Sequence, residues 1–140
     1  MTMLTLSSYE KGWMEALVDG EGCFTRYRSF GCWKPVLTIG NDDLRLLQKA
    51  QRLAGGGYIY TRKGQDVYSW LHFRKPATLQ WLLPQLELIT KATQCAVALQ
   101  MAILLPLPMG GRPNWSLLLE PHRVELQRLS EVLVGLNRLH

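Results

Sequence analysis

The chain is poor in the residues that staple or ligate. It carries only three cysteines, Cys23, Cys32 and Cys95, an odd number without the paired spacing of a metal site, and its histidines, His72, His122 and His140, lie far apart. That excludes a disulfide framework and a structural zinc, and it points to reduced thiols and an intracellular protein. No apolar run reaches the length of a membrane span, and Met1 to Ser8 lacks the basic and apolar segments of a secretory signal. Linkers, low-complexity runs and internal repeats are missing too, so 140 residues read as a single domain, 1–140. Acid is also scarce: 11 Asp and Glu face 16 Lys and Arg, and the net charge of +5 tilts the expectation modestly toward a polyanionic partner.

What is there centres on one stretch. Ser7-x-x-Glu10 fits a capping box, and a helix begun there runs about three turns to Gly20. Trp13, Met14, Leu17 and Val18 then form a stripe that faces a core. Gly12, Ala16 and Gly20, four apart, form a second stripe without bulk, where another helix can come very close. Asp19 and Glu21 fall at the C-terminal end, where the macrodipole disfavours each carboxylate by about 0.3 to 1 kcal/mol. Acids placed against the dipole imply a cation. An acidic turn, with Gly20 and Gly22 as helix stops, explains the same spacing, and the residues alone leave both open.

After Gly22 the pattern alternates. Phe24, Arg26 and Arg28 share one face of a strand, Cys23, Thr25, Tyr27 and Ser29 the other, and Ser29-Phe30-Gly31 is a hairpin turn. A second strand over 32–40 sets Trp33, Pro35, Leu37 and Ile39 against Cys32, Lys34, Val36 and Thr38. Asn41-Asp42-Asp43 offers N-caps for a helix with Leu44, Leu47, Ala50, Gln51 and Leu53, which Gly55-Gly56-Gly57 ends. A second hairpin, 58–63 and 67–74 around Gly64-Gln65-Asp66, puts Val67, Ser69, Leu71 and Phe73 on one face. Its other face collects Tyr58, Tyr60, Arg62, Tyr68, Trp70, His72 and Arg74. Aromatics and arginines together suit base edges, phosphates and sugars. Lys75-Pro76 starts a helix that carries Leu79, Leu82 and Leu83 to Pro84. Two further helices are expected: 89–105, burying Ala92, Cys95, Ala96, Leu99, Ala102 and Ile103, and one from Pro121, burying Val124, Leu129, Val132, Leu133 and Leu136. Residues 106–113 read as a loop.

Met14-Glu15-Ala16-Leu17-Val18-Asp19-Gly20-Glu21-Gly22 resembles the nine-residue signature of the LAGLIDADG homing endonucleases, with Cys23-Phe24 as its strand entry. It matches at Leu17, Val18, Asp19 and Gly22. It departs at Met14, Glu15 and Ala16, where the family usually has Leu, Ala and Gly, and at Glu21, where Asp is commoner. The resemblance implies an α+β fold, an αββαββα core whose four antiparallel strands form a curved DNA-binding saddle, with extra C-terminal helices. A single motif implies a homodimer joined along Gly12, Ala16 and Gly20, acting on double-stranded DNA without a membrane or a small-molecule cofactor. The activity implied is site-specific, Mg²⁺-dependent phosphodiester hydrolysis, with Mn²⁺ able to substitute, leaving short 3′ overhangs in a long pseudo-palindromic site.

Residue by residue, the resemblance makes Glu21 the catalytic metal ligand, with the Gly20 carbonyl beside it. Asn41, where the family often has Gln, matches a polar residue that orders water; Arg45 matches a basic residue near the scissile phosphate; Lys91, in Lys91-x-x-Gln94, matches a lysine that polarises the water network. Plainer roles stand beside these: Asn41 as N-cap, Arg45 and Lys91 as solvated charges. If Phe24 is buried, parity puts Cys23, Thr25, Tyr27 and Ser29 on the DNA face, with Lys34, Thr38, Tyr60, Arg62, Tyr68, Trp70 and His72. Arg62 suits bidentate contact with guanine, and Arg26 and Arg28 become strand-edge phosphate contacts. An RNA-binding intron maturase and a catalytically idle DNA-binding regulator would share this fold. The compartment, whether bacterial cytoplasm, chloroplast or mitochondrion, is left open.

Overall fold

In the computed structural model, residues 5–64, 67–106 and 118–139 are described. Residues 65 and 66 of the second hairpin turn and 107–113 of the expected loop lie outside them. The elements follow the order α1 (Ser8–Glu21), β1 (Gly22–Ser29), β2 (Cys32–Asn41), α2 (Leu44–Ala54), β3 (Tyr58–Arg62), β4 (Tyr68–Phe73), α3 (Pro76–Leu82), α4 (Ala92–Leu104) and α5 (Glu120–Asn137), with one 3₁₀ turn at Leu83–Gln85. This is the αββαββα core with further C-terminal helices.

Local chemistry sets most boundaries. The capping box closes as expected: the Ser7 hydroxyl accepts from the Glu10 amide at 3.1 Å, and Glu10 accepts from the Ser7 amide at 2.8 Å. Phe30 and Gly31 both take positive φ, 50° and 73°, the twist a two-residue hairpin turn requires. Asp43 rather than Asn41 caps α2, accepting from the Arg45 amide at 3.0 Å.

The four strands pair antiparallel in the order β1-β2-β4-β3. Phe24 opposite Leu37, and Leu37 opposite Phe73, turn one face of the sheet inward. That face meets Met14, Val18, Leu47, Leu79, Leu82, Met101, Leu126 and Leu133, all fully buried. Burying a side chain such as Phe24 is worth about 1.5 to 3 kcal/mol, and a one-residue slip would turn every strand's apolar set outward, so register is firmly held.

Two helix faces differ from expectation. In α4 the buried residues are Gln94, Cys95, Val97, Ala98, Met101 and Ala102, while Ala92 and Ala96 are exposed and Ile103 is 61% exposed. In α5 they are Leu126, Leu129, Ser130 and Leu133, with Val124 out in solvent and Val132 at its margin. Apolar residues ring α4 on all sides, and it packs against α3, α5 and the sheet at once, so no single stripe defines its inner face.

Candidate active site and nucleic-acid interface

Helix α1 passes into β1 without a loop. Gly22 caps it in extended conformation (φ −84°, ψ 157°), and its amide donates to the Val18 carbonyl. A Cβ at position 22 would stand 2.7 Å from that carbonyl oxygen, so only glycine permits so abrupt a junction.

The junction's two acids part company. The Asp19 carboxylate accepts from the amides of Ile89 (2.8 Å), Thr90 (3.2 Å) and Lys91 (3.2 Å) and from the Thr90 hydroxyl (3.0 Å). Partial burial pushes its pKa up, but the Ile89 amide, the Thr90 hydroxyl and the other two amides outweigh it and hold the carboxyl below its ordinary 3.8. Asp19 therefore needs no cation, contrary to the expectation from its place at the helix end. Glu21 is exposed and has no hydrogen bond or ion pair among the described residues. Lys91 is no bare surface charge: its ammonium donates to the carbonyls of Val18 (3.1 Å) and Asp19 (2.9 Å), capping the negative end of α1. Beside Glu21, a cleft of about 280 Å³ is lined by Gly22, Cys23, Phe24, Thr90, Lys91, Gln94 and Asn137.

Asn41 lies two residues past Ile39, the partner of Gly22, and so at the same end of the sheet as Glu21. Its side-chain oxygen accepts from the Asp43 amide at 2.8 Å, a local turn. The Arg45 guanidinium is clamped on Asp43 through two bonds of 3.0 and 2.9 Å, yet its side chain is 88% exposed. On α1, Gly12, Ala16 and Gly20 are all exposed, and a Cβ added at Gly12 or Gly20 would meet nothing within 4 Å.

The sheet's other face is open over β3 and β4. Tyr58 and Tyr60 are 63% and 51% exposed, and Tyr68, Trp70 and His72 are half-buried between inward Ser69, Leu71 and Phe73. Tyr60 and Tyr68 flank Trp70 at 5.9 and 4.9 Å between ring centroids, and the Arg62 guanidinium lies 5.7 Å from the Trp70 ring. These rings sit low because the neighbouring strand offers Gly40, where a Cβ would lie 2.9 Å from Tyr68 and 3.2 Å from Trp70. Thr38 and His72 pair across β2 and β4. Burial and Arg74 keep the His72 pKa below 6.5, so the imidazole is neutral at pH 7.

Over β1 and β2 the same face is less open. Cys23 is exposed, Thr25, Tyr27 and Ser29 are half-buried, and Arg74 sits 4.9 Å over the Tyr27 ring. Lys34 corrects the sequence reading: it is 2% exposed, with its ammonium 5.0 Å from the Phe30 ring, and burial depresses its pKa. An enclosed ammonium does not present itself to a duplex. Arg26 is corrected as well. It points to the helix side of the sheet, stacks 3.8 Å over Trp33 and donates to the Ser130 hydroxyl at 2.9 Å, whereas Arg28, 5.6 Å from Trp33, stays exposed. The Arg26–Ser130 bond and the one that the Asn137 amide donates to the Phe24 carbonyl, at 2.8 Å, tie α5 to β1. They join residues about a hundred positions apart, and no local pattern in the sequence signals them.

The arrangement is the LAGLIDADG homing-endonuclease fold: an antiparallel four-stranded sheet with one open face and the signature helix leading into its first strand. No family model and no curated protein matches the sequence. Among solved structures, I-CvuI in complex with its target in the presence of Ca is 21% identical over 91% of this chain and 82% of its own, with a TM-score of 0.70. The archaeal intron-encoded homing endonuclease I-Vdi141I, complexed with DNA, is 20% identical over 91% of this chain and 84% of its own, at 0.71. I-GzeII, in complex with its DNA target, is 16% identical, and the match spans 94% of this chain but only 46% of I-GzeII, at 0.67.

Proposed function

We propose that the chain is a homodimeric, Mg²⁺-dependent endonuclease that makes double-strand breaks in a long, roughly two-fold-symmetric DNA site. One observation carries the reading. Glu21, without a hydrogen bond or ion pair among the described residues, is presented at the end of the open sheet face by a helix whose small-residue stripe is exposed. That this chain matches about half of I-GzeII supports a second copy completing the unit.

The donor set fits the metal. Around Glu21 and the Gly20 carbonyl the donors are hard oxygens, and among the described residues no three His, Cys, Asp or Glu side chains gather into a site of their own. That suits an ion that keeps several waters and shares itself with phosphate oxygens. Bound Mg²⁺ would supply charge neutralisation and a more acidic water. The chain's own parts do the rest. Two Glu21 side chains meeting across the two-fold would serve one strand each. Lys91 fixes the helix end that carries them. Asn41 orients water, and Arg45, exposed, swings from Asp43 to a phosphate. Tyr60, Arg62, Tyr68, Trp70, His72 and Thr38, with Cys23, Thr25, Tyr27 and Ser29, face the duplex.

The test is cleavage selection from a randomised duplex library with Mg²⁺, repeated with Glu21→Gln. The wild type should yield one site, and the variant should bind that site without cutting. Cutting by Glu21→Gln removes the acid from its role; selective retention of RNA over duplex DNA by the wild type replaces the nuclease with a maturase.

A further inference from the structure

On the open face, Cys23 stands opposite Thr38, Thr38 opposite His72, and His72 opposite Tyr58, so one row crosses all four strands. Within it the imidazole is held on both flanks. The Thr38 hydroxyl lies 3.0 Å from Nδ1, and the Tyr58 ring is stacked alongside at 6.3 Å and 21°. We infer that Thr38, His72 and Tyr58 form a pre-set base-reading unit. In it, the Thr38 hydroxyl donates to Nδ1, and Nε2–H is the one donor offered to a base edge in the major groove. The inference rests on the DNA-binding reading of this face and adds to it which chemistry is read.

The proposed tautomer rests on how the pair shares its protons. A neutral imidazole has one donor and one acceptor nitrogen. The Thr38 hydroxyl has no other side-chain or backbone acceptor among the described residues, and in the proposed unit it donates to Nδ1 while the ring hydrogen sits on Nε2. Burial and Arg74 keep the ring uncharged at pH 7, so it offers a directed hydrogen bond rather than a phosphate contact. A single donor donates to purine N7, guanine O6 or thymine O4 and clashes with the amino group of cytosine. Tyr58, 63% exposed, stiffens the ring and walls one side of the contact. Thr38 is thus a positioning residue: it touches no base through its hydroxyl, yet it decides what His72 reads.

The experiment has a free-protein arm and a DNA arm. Nitrogen-15 shifts of the His72 ring at pH 7.5 should show a protonated Nε2 and a bare Nδ1 in the wild type, and tautomer mixing in Thr38→Val. Binding selection of the full chain with Ca²⁺ and a randomised duplex should show cytosine depleted about threefold to tenfold at one base per half-site. That depletion should vanish in His72→Phe and weaken in Thr38→Val while the other positions keep their preferences. A protonated Nδ1, cytosine enrichment at that base, or a His72→Phe profile equal to wild type overturns the inference while the DNA-binding reading stands. Failure of the wild type to select any duplex sequence overturns that reading first, and the tautomer arm then still reports on the ring itself.

Discussion

Along one flank of α1, Glu15 accepts from the amide of Glu87, Asp19 gathers three amides and a hydroxyl, and Lys91 returns its ammonium to the helix's last carbonyls. Along the adjoining face, Gly12, Ala16 and Gly20 are exposed, and Glu21 follows at the exit without a hydrogen bond or ion pair among the described residues. Both stretches run along α1 and bring a carboxylate, Asp19 or Glu21, to its C-terminal end, where acid is unfavourable. The first is satisfied within the chain and is explained by folding. The second is not, and function has to account for it.

Substitutions that exchange the two flanks test this division. Glu21→Ala should lower the cleavage rate on the order of 10²-fold or more while leaving the thermal midpoint unchanged, read by turnover and calorimetry on one preparation. Ala16→Glu puts a charge on the bare face, where the lone chain has room for it. Sedimentation should then report half the wild-type mass with an unaltered circular dichroism spectrum, and a dimer surviving the change would show that another surface joins the copies.

On the satisfied flank the outcome reverses. Asp19→Ala should cost about 1 to 2 kcal/mol of stability by denaturant titration, because three amides of the α4 approach lose their acceptor. Since the Asp19 carboxyl titrates below 3.8 when folded, its contribution is complete above that value and disappears as pH falls through the folded pKa. The wild type should therefore lose stability on acidification below about pH 4 more steeply than Asp19→Asn. The smallest effect belongs to the sheet: Lys34→Met should leave DNA affinity and its salt dependence close to wild type, because a buried ammonium releases no counterion.

The features legible in the sequence were those fixed within a few residues. Ser7 and Glu10 cap each other, Phe30-Gly31 turns a hairpin, and β4 alternates so cleanly that Ser69, Leu71 and Phe73 had to face inward. Illegible were the contacts that close long loops. Asp19 reaches Thr90, and Arg26 reaches Ser130, across intervals where spacing carries no information. Lys34 was misread because alternation names a face but not what lies over it. The inner face of α4 was misread because alanine and leucine occur all round it; in α5 Leu129 and Leu133 are buried as expected, but Leu126 goes inward in place of Val124 and Val132, because burial there depends on which neighbour arrives.

The first hairpin also acts as a ruler. Strand β1 has eight residues and turns back through only Phe30 and Gly31, so its reach from the helix junction is about 26 Å. Stacked base pairs rise about 3.4 Å each, and that reach corresponds to roughly eight of them. On the proposed function, lengthening the turn should extend the span outward without disturbing the chemistry at its origin, so recognition length would change separately from cutting.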